Sequence, residues 1–304
     1  MPITLAGLHL LLTYQCVFEC DHCFTWGSPS QSGTMTLPEI RRILQQATDL
    51  GTITEIYFEG GEPFLYYALL LQAAREAAGM GFEVGIVSNG YWANTEEDAL
   101  ANLAPFAGLV RALSISSDLY HWNEVASIQS RNAARAAARL AIPLGVISID
   151  QPEACESVPS SGTLSGEGIK VMYRGRAAVK LADRAQKQPW QQFTACPHED
   201  LRDPGRVHLD PLGNLHLCQG LVLGNCFQSS LKEICDSYDP ETHPVAAPLL
   251  AGGPAELVRR YDLPHAAAYA DACHLCYVAR AALRSRFPHL LTPDQMYGVM
   301  NGAG

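Results

Sequence analysis

Between Leu8 and about Met172, short apolar, β-branched runs alternate with longer helical patterns, and this alternation constrains the fold more than any other feature of the 304-residue chain. The spacing predicts strands at Leu8–Thr13, Thr54–Phe58, Glu83–Ser88, Leu109–Ile115, Pro143–Ile149 and Gly168–Met172. A helix is expected after Thr36, which forms a capping box with Glu39; Pro38 sits in its first turn and Gly51 at its end. Ile40, Ile43, Leu44, Ala47 and Leu50 share one face of it. Residues 65–78, 95–104 and 123–141 read as further helices. Strands separated by helices of this length pair in parallel through right-handed crossovers. Six such units make an α/β fold, a partial (β/α)6 TIM-like barrel, whose chemistry belongs in the loops at the C-terminal ends of its strands.

The alternation fades after Ile149. Gln151 to Gly168 is rich in Ser, Gly, Glu and Pro and reads as an exposed loop. From about Gln191 onward a different, α+β pattern takes over: Val207–Leu209 and Leu215–Cys218 flank the turn Asp210-Pro-Leu-Gly-Asn214 and predict a hairpin, and Pro264–Ser285 reads as helical. Two domains are expected, a core over 1–190 and a small extension over 191–304. With 48% hydrophobic and 17% charged residues the chain can bury a core and is not of disordered composition. A net charge of −10 without any Lys/Arg run argues against nucleic acid as a partner. The segment Met1–Thr13 lacks a charged n-region and a cleavage site and reads as a buried strand; no stretch approaches the ~18 apolar residues of a membrane span. A cytoplasmic, membrane-free protein is expected, and ten cysteines in a reducing compartment point to metal or redox chemistry.

Cys16, Cys20 and Cys23 form C-x3-C-x2-C just after the first expected strand. Three thiolates within eight residues face different ways on any regular element, whereas a loop wrapped round an iron–sulfur cluster, or a zinc site with a borrowed fourth ligand, uses all three. Three protein ligands leave one iron of a four-iron cluster open to a cofactor. Farther on, Cys196 in a loop, Cys218 on the hairpin, and Cys273 and Cys276, spaced i, i+3 on a helix that Pro264 begins, can complete a second cluster or a zinc ribbon. Cys226 and Cys235 read as small buried hydrophobes, with substitution as ligands left open, and Cys155 as a bystander. His208, His216 and His274 are expected to be hydrogen-bonded structural residues.

Other motifs sit at the expected strand ends: Glu59-Gly-Gly-Glu-Pro63 after the second, Ser88-Asn89-Gly90 after the third, Ser114-Ile-Ser-Ser-Asp118 after the fourth. With the cysteine motif and His22 before its last cysteine, this order resembles the radical S-adenosylmethionine superfamily over residues 8–176. The resemblance implies a [4Fe–4S] cluster on Cys16, Cys20 and Cys23 that binds S-adenosylmethionine. It places Gly60, Gly61, Glu62 and Pro63 at the cofactor's amino group, and His22, Ser88, Asn89 and Ser116 elsewhere around it. It also implies a reducing electron donor such as flavodoxin or ferredoxin. The pattern C-x16-G-x4-C followed by a distant C-x2-C resembles the auxiliary-cluster extensions called SPASM and twitch, which implies one auxiliary [4Fe–4S] cluster on Cys196, Cys218, Cys273 and Cys276. Cys276 is not followed by two more cysteines, so the shorter twitch form fits better.

Phe24, Trp26, Tyr91, Trp92, Tyr120 and Trp122 follow the strands and can wall a dry pocket in which Asp118 and His121 bind a hydroxyl or take a proton; alternatively, the aromatics close the barrel and Asp118 caps the next helix. Arg174 and Arg176 can bind a carboxylate or the cofactor, or simply pair at the surface. The function expected is hydrogen-atom abstraction from a polar small molecule, for instance oxidation of a secondary alcohol. A first strand starting near residue 8, with no leader-peptide-binding domain before it, favours this reading. The alternatives are a peptide- or protein-modifying enzyme and, from outside catalysis, an electron carrier or zinc-stabilised binding module.

Overall fold

The computed structural model describes residues 3–153 and 168–299, so most of the Ser/Gly/Pro-rich segment, Cys155 included, lies outside the described residues. Five strands, β1 (Gly7–Thr13), β2 (Glu55–Gly60), β3 (Glu83–Ser88), β4 (Val110–Ser116) and β5 (Leu144–Ile147), alternate with α1 (Leu37–Leu50), α2 (Tyr67–Gly79), α3 (Glu96–Leu103) and α4 (Ile128–Arg139). Consecutive strands pair in parallel. The expected sixth strand, Gly168–Met172, does not form: the segment meets the sheet only at one bridge, Ile169 to Ile149. Exposed flanking residues there leave little apolar surface to hold a further strand.

The rest of the chain contributes α5 (Arg176–Lys180), β6 (Gln188–Pro189), β7 (Arg206–Leu209), β8 (Asn214–Cys218), β9 (Leu221–Asn225), α6 (Leu231–Ser237), α7 (Ala246–Tyr261, broken at Gly252–Gly253), β10 (Ala268–Tyr269) and α8 (Ala272–Leu283). The predicted hairpin is present as β7–β8, but it does not stand apart. β7 pairs in parallel with β1, giving one eight-stranded sheet in the order β5-β4-β3-β2-β1-β7-β8-β9. The sheet therefore runs straight across the boundary expected near residue 190, and Leu10 and Leu209 belong to one apolar core. β6 and β10 form a separate antiparallel pair.

The sheet has two chemically different faces. On one, Leu8, Leu10, Ile56, Phe58, Ile86, Leu113 and Ile115 are buried with the helix faces, including Ile40, Ile43, Leu44 and Ala47 of α1. On the other, alternate positions carry His9, Tyr57, Glu59, Ser114, Ser116 and His208, which line a cavity. Gly85 makes this lining possible: a Cβ there would stand 2.2 Å from the Tyr57 ring. Among the described residues no helix is long and apolar enough to cross a membrane.

Candidate active site

The cysteine loop leaves the C-terminal end of β1 and folds back on itself. Cys16 N–H donates to Ser28 O and Cys23 N–H to Cys20 O, so the loop closes on its own backbone. N–H groups then turn toward the sulfurs: Gly27 N lies 3.2 Å from Cys23 Sγ, Phe18 N 3.4 Å and Asn89 Nδ2 3.6 Å from Cys16 Sγ. Such donors stabilise a thiolate that a metal centre would hold. Burial pushes the Cys16 thiol up to about 12 and raises Cys20 as well. Binding of a metal centre by these thiols would release their protons.

Arg176, expected at the cofactor, packs against the loop. Its buried guanidinium donates to Cys20 O and Gly27 O, both at 2.8 Å, and its backbone N–H to Cys23 O. It reaches this position from the first turn of α5, a helix the strand–helix pattern does not announce.

β2 ends against the same loop. Gly61 N–H donates to Thr13 O and Glu62 N–H to Gln15 O. Cβ atoms at Gly60, with φ +143°, and at Gly61 would stand 2.4 Å and 2.2 Å from the Thr13 and Gln15 carbonyls, so only glycine permits the approach. Glu62 is fully buried, and its carboxylate accepts from Asn89 N (2.7 Å), Ser88 Oγ (2.9 Å) and Phe64 N (3.0 Å). Burial pushes its carboxyl up to about 7, against the pull of these three donors. The motif thus ties the end of β2 to the end of β3 and starts the short 3-10 turn at Pro63.

Asp118 ties the next two strand ends together. Its Oδ1 accepts from His121 Nδ1 (2.7 Å), Tyr120 N and His121 N, while Oδ2 accepts from Ile149 N and lies 3.6 Å from His22 Nε2. Burial works to raise its carboxyl, but the His121 hydrogen bond and the charges of His121 and His22 outweigh it and hold it well below the usual carboxylate range. It does not cap the following helix: α4 begins ten residues later, and Ser127 caps it.

These elements surround one cavity of about 620 Å³. Cys16, Cys20, Cys23, His22, Gly60, Gly61, Ser88, Asn89, Ser116 and His121 all line it, whereas Glu62, Pro63, Asp118 and Arg176 brace it from behind. Donor atoms of Cys20, His22 and His121 lie within 4.8 Å of one another. Phe24 also lines the cavity, but Trp92 does not; it stacks on Phe64 at 4.6 Å and donates to Ser88 Oγ. Sequence reading passed over His9, Tyr57 and Arg206 and gave Glu59 and His208 no place at the site, yet all five line the cavity. The available signal is polar residues at alternate positions of otherwise apolar strands. His208, expected to be a hydrogen-bonded structural residue, makes no ring hydrogen bond among the described residues; His216 does, to Asp210 Oδ2 at 3.0 Å.

A second cavity is lined by Cys196, Cys218, Cys273 and Cys276 together with Arg174 and Arg280. Four thiols line one space with two guanidiniums to offset thiolate charge, a donor set for an iron–sulfur cluster or zinc, although no three of the sulfurs lie within 4.8 Å of one another, the closer spacing that zinc requires. The helix carrying Cys273 and Cys276 starts at Ala272, not at Pro264, because Asp271 is its N-cap and accepts from His274 N at 2.7 Å. Cys226 and Cys235 are buried in the apolar core and line neither cavity. Arg174 lines both cavities, 3.8 Å from Cys218 Sγ and 5.3 Å above the Phe24 ring.

Residues 10–123 match the family model described as the Radical SAM superfamily. The chain is 31% identical over 122 residues to YydG of Bacillus subtilis (strain 168), a protein named for peptide biosynthesis, covering 40% of this chain and 38% of YydG. It is 28% identical over 116 residues to an S-adenosylmethionine-dependent nucleotide dehydratase of Fibrobacter sp. (strain UWH6), covering 36% of this chain and 32% of that protein. The chain thus spans well under half the length of the curated relatives it matches. The crystal structure of BtrN in complex with AdoMet and 2-DOIA is similar with a TM-score of 0.51 at 14% identity, covering 91% of this chain and 93% of BtrN, a likeness of fold.

Proposed function

We propose that this chain, whose residues 10–123 match the Radical SAM superfamily model, is a radical SAM enzyme that abstracts a hydrogen atom from a polar small molecule held in the barrel cavity. The observation that carries this reading is convergence: the three thiols of the C-x3-C-x2-C loop and the ends of β2, β3 and β4 open onto the same cavity. Members of the family bind a [4Fe–4S] cluster and S-adenosylmethionine. When bound, the pair supplies one-electron cleavage of the sulfonium bond and hence a carbon radical that removes hydrogen.

Cys16, Cys20 and Cys23 would hold the cluster. The close-packed Gly60–Gly61 turn, Ser88, Asn89 and Ser116 offer small or polar walls to the cofactor, and Phe18 and Phe24 keep water from it. His121 accepts a substrate proton at Nε2, because Asp118 holds the Nδ1 position; Asp118 acts as the positioning residue. Cys196, Cys218, Cys273 and Cys276 would hold an auxiliary cluster, an electron acceptor suited to alcohol oxidation, and Arg174 forms the wall that its cavity shares with the barrel.

A second reading has one observation in its favour. The match to a protein named for peptide biosynthesis supports a peptide whose side chain enters the cavity. The test offers the reduced, iron-loaded chain deuterium-labelled polyhydroxylated alcohols in one arm and labelled peptides encoded beside its gene in the other. Deuterium in 5′-deoxyadenosine with a carbonyl product from the first arm supports the small-molecule reading. Deuterium arriving only from a peptide overturns it in favour of the second.

A further inference from the structure

We infer that His9, Glu59 and His208 form a mononuclear divalent-cation site in the wall of the barrel cavity, separate from both sets of cysteines. The three residues come from adjacent strands and face the same way. His9 on β1 is in register with His208 on β7 and with Tyr57 on β2, and Glu59 is the next inward residue after Tyr57. One donor atom from each lies within 4.8 Å of the other two. His9 Nδ1 bonds Glu59 Oε1, and His208 Nε2 lies 3.6 Å from the same oxygen. A first-row cation about 2 Å from each donor needs donors roughly 3 Å apart, a spacing within reach of small side-chain rotations.

The surroundings hold these donors in place. The His9 ring stacks on Tyr57 at 4.6 Å and 10°, and Tyr57 is seated over the space that Gly85 leaves open. His208 meets the edges of His9 at 5.2 Å and Phe24 at 5.5 Å, which fixes its ring plane while its nitrogens find no hydrogen-bond partner among the described residues. A neutral imidazole keeps one ring nitrogen free to accept, and a cation shared by two imidazoles and a carboxylate uses it. Two imidazoles and one carboxylate are the donor set of open mononuclear centres. All three residues line the cavity, as do Arg174 and Arg206, so a bound cation would be open to a ligand from that side. A carboxylate or hydroxyl oxygen is therefore the ligand class that completes the site.

The experiment uses the full chain with its cysteine centres loaded, equilibrated with Mn²⁺ alone, which favours oxygen and nitrogen donors over thiolates. Electron paramagnetic resonance should count about one bound Mn²⁺ per chain, displaced by Zn²⁺ in keeping with the affinity order of first-row metals. Affinity should fall at least about tenfold in His208→Ala and in Glu59→Gln, and stay unchanged in the exposed-site control His265→Ala. Nitrogen hyperfine couplings from two imidazoles on Mn²⁺ in the wild type decide the matter should a variant misfold. Mn²⁺ binding no tighter in the wild type than in His9→Ala/His208→Ala, or bound Mn²⁺ without imidazole couplings, overturns the site and leaves a hydrogen-bonded trio. Neither measurement involves cleavage of S-adenosylmethionine, so the result stands apart from the radical reading.

Discussion

Glu62 shows how much of this site is made of single side chains that never touch the cavity. Its carboxylate is committed to Phe64 N, Ser88 Oγ and Asn89 N, so truncation strands three donors in a buried place. Each such donor costs roughly 1–3 kcal/mol, though the sum is not additive. Glu62→Ala should therefore lose stability in urea and affinity for S-adenosylmethionine together, because the β2 and β3 ends drift apart. Calorimetry showing weaker binding at unchanged stability would instead indicate a direct contact between Glu62 and the cofactor's ammonium. The cysteine loop was legible because its donors lie within eight residues, a spacing visible in one dimension. His9, Glu59 and His208 come together only across three strands, so no local spacing could join them.

At the scale of elements, the hairpin turn does more than reverse the chain. Asp210 is fully buried: Oδ2 accepts from Tyr14 Oη (2.8 Å), His216 Nε2 and Asn214 Nδ2, while Oδ1 accepts from Leu212 N and Asn214 N. It thereby fastens β7 and β8 to the end of β1, where the cysteine loop starts. Burial acts to raise its carboxyl, yet the bond and charge of His216, with Asn214, hold it below the usual range. A folded-state value below the unfolded one means that the contribution is complete above about pH 4 and is lost as pH falls through the folded value. Urea midpoints of the wild type should accordingly drop on acidification below pH 4, with a shallower drop in Asp210→Asn; parallel curves would refute this role. The turn itself was readable from Asp-Pro-Leu-Gly-Asn, but its partner strand was not, because pairing of β7 with β1 is a non-local choice. The helix starts after β4 and before Cys273 were misread for a different, local reason. Polar caps at Ser127 and Asp271 overrode apolar periodicity and proline position.

Taken as a whole molecule, the chain places two thiol sets on cavities that share the Arg174 wall, joined through one continuous sheet. The order of strands and helices, and with it the position of each motif at a strand end, was readable from periodicity up to β5. The continuity of the sheet into residues 206–225 was not, since nothing local distinguishes a hairpin that caps a barrel from one in a separate domain. If both thiol sets carry four-iron clusters, the reconstituted wild type should hold about eight irons per chain and the Cys16→Ala/Cys20→Ala/Cys23→Ala variant about four; one zinc and four irons in the wild type would assign the second cavity to zinc. The measurement closest to the central claim is cleavage of S-adenosylmethionine itself. On anaerobic reduction the reconstituted wild type should release 5′-deoxyadenosine and the triple cysteine variant none; undiminished release from that variant would contradict the account.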